Sequence, residues 1–318
     1  MTRYVLTRLL ILPGTLLVVS FLSFGIVNAS PGSVAASLAD PNDPASIPRI
    51  EHELGLDRPF LVQYVDWLGS ALRGDLGSSF INQRAVSAEF ASRIGITLEI
   101  AVVAVLFALV VGVGLAMLAA RYRGTRLDKT IMAATTLGVS IPSFMVATLL
   151  VLFFSLYVPS YPIISFTPVS EGLLENLRSV LIPSFAMSLP AAATFCRYVR
   201  AASEDILRES DYVRTAKAKG AGRTRILLSH VLPNAVVPLA TVAGLQFGYL
   251  IGGSVLIETI FALPGVGSRL MQAITERDFP VVQAGVLLLA LVFVLVTLLV
   301  DLLYPLLDPR IRVLRSAA

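Results

Sequence analysis

The run from Ile94 to Ala120 constrains this chain more than any other stretch. It holds a single ionisable side chain, Glu99, and is otherwise apolar or small. A helix needs about 20 such residues to cross the hydrocarbon core of a bilayer. Comparable runs lie at 9–27, 130–158, 180–199, 233–257 and 281–303. They are continuously apolar, whereas barrel strands alternate, so helices are the spanning element this pattern allows. Composition agrees: 56% of the residues are hydrophobic and 14% charged, against about a quarter charged in soluble domains. The expectation is an all-α, multi-pass protein of the plasma (inner) membrane with six transmembrane helices.

Charge sets the orientation. Arg121, Arg123, Arg126 and Lys129 crowd one short loop, opposed only by Asp128. Short loops rich in Lys and Arg face the cytoplasm. With that loop inside, six spans put the N- and C-termini inside too. The inner segments then hold seventeen of the 25 Lys and Arg, and the outer ones the other eight. The net charge of +4 is explained by this bias and by contact with membrane lipid, with no nucleic acid among the partners.

Four regions follow. Residues 1–29 are a short basic tail and the first span, read as a retained span and not as a cleaved signal, because the apolar stretch exceeds a signal's core. Residues 30–93 form an extracytoplasmic region that opens on Pro31-Gly32 and Asp40-Pro41-Asn42-Asp43-Pro44. From Pro59 it turns periodic, with Leu61, Val65, Leu68 and Leu72 on one helical face and Tyr64 and Trp67 beside it. That spacing predicts an amphipathic helix on the membrane surface or over the spans. Residues 94–307 are the membrane core, including a cytoplasmic loop at 200–232. Residues 308–318 are a cytoplasmic tail. Pro142, Pro190 and Pro238 fall within spans and are candidate hinges, since proline leaves a helix carbonyl unpaired. A kink is expected at Pro142.

Several chemistries are missing. No phosphate-cradling Gly-x-x-x-x-Gly-Lys-Ser/Thr run and no metal-binding His-Glu-x-x-His occurs. His52 and His230, the only histidines, fall on opposite sides of the membrane in this topology. The lone Cys196 sits in an apolar run and reads as a small buried hydrophobe. No catalytic set, cofactor site or metal site is expected, and the chain is not read as an enzyme. Glu99 and Asp301 lie near span ends and offer little to an ion-coupled carrier.

One segment stands out against this apolar background. Glu209–Pro233 is basic and rich in Ala and Gly. It reads as a helix over 204–218, a break at Gly220-Ala221-Gly222, and a second helix over 223–232 leading into Pro233. Small residues such as Ala216 and Ala218 suit a partner's groove, and Arg214, Lys217 and Lys219 suit acids at its rim. The other reading is a basic loop that only sets topology or touches anionic lipid.

Asp211-Tyr-Val-Arg-Thr-Ala-Lys-Ala-Lys-Gly220, with His230-Val-Leu-Pro-Asn-Ala235, resembles the cytoplasmic "EAA" loop of ABC-importer permeases. The form is that of the B-type subunit of the dipeptide, oligopeptide and nickel systems. Arg214-Thr215-Ala216 stands where the family has Glu-Ala-Ala, Gly220 and Leu232-Pro233 match, and His230 replaces an Ile. The blocks 54–60, 74–78, 258–261, 264–267, 278–282 and 299–304 with 308–312 are also similar to this family. The resemblance implies the type I ABC-importer permease fold. It implies a second homologous permease, two ABC ATPase subunits or one fused ATPase that bind ATP and Mg, and an extracytoplasmic substrate-binding protein. It implies an ATPase-coupling loop of Asp211, Tyr212, Arg214, Thr215, Ala216, Lys217, Lys219, Gly220, Leu232 and Pro233. Di- or oligopeptides are the implied cargo, with nickel, glutathione or haem as alternatives. A carrier or channel without an ATPase is the rival class.

Overall fold

A computed structural model describes residues 2–29, 35, 46–53, 55–236 and 239–307. The described elements are almost entirely helical, as the apolar runs require. In order they are α1 (Thr2–Ala29), α2 (Ser46–Glu53), α3 (Phe60–Ala71), α4 (Val86–Arg121), α5 (Arg126–Ser140), α6 (Ser143–Tyr157), α7 (Leu173–Glu209), α8 (Asp211–Ala218), α9 (Arg223–Ile226), a π-helical turn (Leu227–Val231), α10 (Leu232–Val236), α11 (Leu239–Ile260), α12 (Val266–Glu276) and α13 (Phe279–Leu307). Val86–Arg121, Leu173–Glu209, Leu239–Ile260 and Phe279–Val300 are each long and apolar enough to cross a membrane. Helices α5 and α6 together make a fifth candidate, bent by 96°. Leu12–Asn28 of α1 is a further apolar helical stretch.

That bend corrects the expectation at Pro142. In place of a kinked span there is a full break. Ile141 is extended (φ −84°, ψ 122°) and Pro142 heads the next helix. Proline's ring disfavours the helical region for the residue before it, which supplies the local part of the cause. In α7, by contrast, the helix runs unbroken through Pro183 and Pro190. Pro238 lies outside the described residues.

The chain divides into two compact units. One comprises residues 98–263 together with 293 onward, and is built around α7, against which α5, α6, α10 and α11 all pack. Its core is dominated by alanine: Ala108, Ala116, Ala119, Ala191, Ala192 and Ala235 surround Ile131, Phe195, Cys196, Val199 and Leu239. Small side chains let helices approach closely, which is how packing stabilises helices where lipid removes the hydrophobic drive. Gly112 marks the tightest crossing. A Cβ there would lie 2.6 Å from the Ala192 carbonyl oxygen and 2.9 Å from Phe195 Cβ. Gly114, two residues on, has nothing within 4 Å of that position. Gly112→Ala is therefore expected to lower the thermal midpoint in detergent, at an overpacking cost of about 1–3 kcal/mol. Gly114→Ala is expected to leave it unchanged, and equal midpoints for the two variants would contradict this account.

The other unit comprises residues 2–97 and 264–292. Here α3 packs on α1 through aromatic rings. Phe21 and Phe24 meet Tyr64 edge-on at 5.2 and 5.6 Å, and Phe24 lies 5.8 Å from Trp67. The Ser20 and Tyr64 hydroxyls share a hydrogen bond of 2.9 Å. The packed face of α3 is thus its aromatic one, and Leu61, Val65 and Leu72 are left exposed, as suits a helix with one side on lipid. A second core joins Val86 and Phe90 of α4 to Val266, Ala273, Val281 and Ala284. Helix α12 is a short amphipathic element lying between the apolar runs at 233–257 and 281–303.

Candidate functional site

The polar stretch at 209–233 is organised differently from its sequence reading. The expected helix over 204–218 is broken. Helix α7 continues to Glu209, Ser210 is extended (φ −83°, ψ 120°), and α8 starts afresh at Asp211. A Ser followed by Asp is a helix-start signal, so the break was there to be found. It lets α8 leave the direction of α7 and lie as a separate element.

What anchors α8 is one side chain. Val213 is fully buried in a cluster with Ala120, Ile226, Leu227 and Val231, with Ala216 and Ala221 packed against it. Ala216, expected to suit a partner's groove, is half-buried against this cluster. The opposite face is open: Asp211, Tyr212, Arg214, Thr215, Lys217, Lys219 and Gly220 are all exposed. Asp211 and Arg214 form a 3.5 Å ion pair on that surface, and the Tyr212 ring lies 6.4 Å from that of His230.

The helix ends in a left-handed cap. Gly220 has φ +79°. Its N–H donates to the Lys217 carbonyl at 3.0 Å, and the Ala221 N–H donates to the Ala216 carbonyl at 3.0 Å. This paired arrangement satisfies the last carbonyls of α8, and glycine is favoured where φ is positive because it has no Cβ to clash. Beyond the turn, α9 widens into the π turn at Leu227–Val231 immediately before Leu232 and Pro233. Pro233 has no N–H to donate to the Ser229 carbonyl, and its ring would collide with that carbonyl in a regular helix. A wider turn relieves the collision. Leu232 and Pro233 then reach an apolar groove of about 1040 Å³, lined also by Leu109, Val113, Phe247 and Val300.

The stretch is tied to the end of α4 and the turn that follows. Arg223 Nη2 donates to the Ala120 carbonyl and Arg121 Nε to Thr224 Oγ1, each at 3.2 Å. Arg200, near the end of α7, grips Asp128 with two bonds, Nη2 to Oδ2 at 3.0 Å and Nε to Oδ1 at 3.2 Å. Both side chains are about nine-tenths buried. Glu204 accepts from Arg200 at 3.2 Å, from Arg208 at 2.6 Å and from Arg123. The Gly124 N–H caps Asp128 Oδ2 at 2.9 Å. Sequence reading counted Asp128 as a lone loop acid and missed this network, because no short motif links 128 to 200.

Of the three proline candidates, Pro142 separates α5 from α6 and Pro190 lies inside α7, and their neighbours Ile141 and Leu189 line one apolar pocket; Pro238 is outside the described residues. Among the described residues no group of three His, Cys, Asp or Glu side chains is placed to hold a metal ion.

Comparison with known proteins gives consistent matches along the chain. The family described as "Binding-protein-dependent transport system inner membrane component" matches residues 112–313, and its N-terminal companion matches 1–101. A putative peptide transport system permease protein of Brucella abortus (strain 2308) is 39% identical over 313 residues, covering 98% of this chain and 99% of the relative. The glutathione transport system permease proteins of Escherichia coli O6:H1 and Salmonella typhi are 37% and 38% identical, with the same coverage.

Proposed function

The chain belongs to the family of binding-protein-dependent transport system inner membrane components, and from that membership we propose how this subunit works. The protein is a multi-pass membrane permease, not itself an enzyme, of an ATP-driven importer that works with an ATPase and a binding protein. In our reading α1 and the bent α5–α6 pair complete six spans, with both termini and residues 200–232 cytoplasmic and residues 30–93 outside. A second, homologous permease completes the pathway. Two ATPase subunits, or one fused ATPase, dock on α8, and an extracytoplasmic binding protein delivers cargo. The cargo class is small peptides: relatives are named for peptide and for glutathione, and glutathione is itself a tripeptide.

The observation that carries this reading is the two-sided build of α8. One valine fixes it from beneath, while Arg214, Lys217 and Lys219 stand on an exposed, otherwise uncovered face. A loop that only sets topology has no need of a fixed helix with a capped turn. ATP-driven closure of the ATPases would move this element, and through Leu232-Pro233 the spans around Pro142, Pro190 and Pro238. An ATPase can shift that equilibrium only through contacts that differ between the two states.

The Lys217→Glu, Lys219→Glu double variant is expected to expressed normally and to lose ATPase retention on purification by roughly tenfold or more, since like charges met at an interface cost several kcal/mol. Retention equal to wild type at low and at physiological salt would remove α8 as the docking face. Cargo is tested separately, by ATP-dependent uptake of labelled glutathione and trialanine into proteoliposomes holding the full complex.

A further inference from the structure

The links around Asp128 reach beyond a docking helix. We infer that the turn at residues 121–129 is a second arm of the transmission, tied to the docking element through Ala120, Arg121 and Arg223 and pinned to α7 by Arg200 and Asp128, so that α4 and α5 move with α8 as one body. Asp128 and Arg200 are then positioning residues for energy coupling. The inference rests on the reading of α8 as the docking face.

Three observations carry it. First, the two segments share one core: Ala120, from the end of α4, is buried in the same cluster as Val213 and Ile226. Second, they are bonded in both directions, with Arg223 donating to the Ala120 carbonyl and Arg121 donating to Thr224. Third, the turn is pinned from its far side. Arg200 holds Asp128 through a planar, two-point contact that a flexible cation would not make, and Asp128 in turn accepts from the Gly124 N–H. Glu204 gathers Arg123, Arg200 and Arg208 into the same network.

The physical consequence follows from the burial of the pair. A buried charge cannot exchange its partner for water without a large desolvation cost. The lock therefore stays closed through small displacements, and a push on α8 arrives at α4 and α5 undiminished. Without it, the turn would be held only by the Val213 cluster and the bonds at Arg223 and Arg121, and would be free to shift against α7. Packed elements shift in discrete, rigid steps, and this lock decides which elements share the step.

Two measurements test the inference in the complete complex with its ATPases and binding protein. In the first, spin labels are placed at Lys129 and Arg225, both exposed, with Asp128 and Arg200 intact. Their separation is expected to stay within about 2 Å between the nucleotide-free and ATP-trapped states, whereas sliding of one segment past the other by about 5 Å would overturn the inference. In the second, Asp128→Asn is expected to keep basal ATP hydrolysis while stimulation by the loaded binding protein falls roughly tenfold. Asp128→Glu is expected to recover part of that loss. The loading ligand is glutathione or trialanine, whichever stimulates the wild-type complex. An assembled Asp128→Asn complex with stimulation within about twofold of wild type would overturn the inference. Should Asp128→Asn not assemble, the distance measurement decides alone. Failure of the docking reading shows elsewhere, as unchanged ATPase retention in the Lys217→Glu, Lys219→Glu variant.

Discussion

Arg269→Met is expected to be the most destabilising single substitution in the unit formed by residues 2–97 and 264–292. Arg269 is 3% exposed and meets three carboxylates: Glu89 at 3.1 Å, Asp278 at 3.0 Å and Glu276 at 3.4 Å. Asp278 is fully buried, and also accepts from Ser79 Oγ at 2.5 Å and from the Phe80 N–H at 3.0 Å. Burial opposes the charge on Arg269, but the Glu89 and Asp278 carboxylates outweigh it and hold the guanidinium above its ordinary value. It stays charged at any working pH. Methionine fills similar volume and strands two buried carboxylates. Removing one partner of a buried ion pair costs about 3–5 kcal/mol, because the remaining charge keeps its desolvation penalty.

The expected result is a clearly lowered melting midpoint in detergent. Arg269→Lys should fall between, because an ammonium keeps the charge but has no fork to hold Glu89 and Asp278 together. Adding Glu89→Gln to Arg269→Met should restore part of the loss, since it removes one stranded charge. A midpoint for Arg269→Met within error of wild type would show that the network holds nothing together.

This network marks where sequence reading stopped. The Arg269–Glu89 pair closes across 180 positions, and neither residue sits in a motif. Asp278 opens the block 278–282 that is similar to the family, but nothing in the sequence joins it to Arg269, which lies on helix α12. Val266, Leu270 and Ala273, all buried, have helical spacing, and Gly265 precedes them. Eleven residues among glycines and prolines gave the period little room to register. The apolar runs were legible because a bilayer leaves the backbone one solution, and the helices at 86–121, 173–209, 239–260 and 279–300 follow from it.

The prolines show the same divide. That Pro142 disturbs a helix follows from its chemistry. That it ends one outright, while Pro190 leaves α7 continuous, depends on what packs around each. Around Pro190, Ala186, Met187, Ala191 and Ala193 are all buried, so the surroundings hold the helix together. The residues after Pro142 are largely exposed, with Phe144, Met145 and Leu149 open to lipid or a partner. The break at Ser210 belongs to a third kind: its local signal was present, but the alanine-rich residues on either side outweighed it.

Gly220→Pro is expected to abolish coupled transport while leaving the spans folded. Proline holds φ near about −65°, whereas Gly220 has φ +79°. The substitution also deletes the N–H that closes onto Lys217. The cap of α8 is thereby lost and Arg223–Ile226 is re-aimed, carrying with it the Arg223 bond to the Ala120 carbonyl. Gly220→Ala separates the causes. Nothing lies within 4 Å of a Cβ at this position, so alanine meets no clash and carries only the cost of a positive φ, about 1–2 kcal/mol. Transport should therefore survive in Gly220→Ala at reduced efficiency and vanish in Gly220→Pro, at equal expression and equal size-exclusion profile. Equal transport in both would mean that the orientation of α8 relative to α9 is irrelevant to coupling, and that α8 acts as a tether and not as a lever.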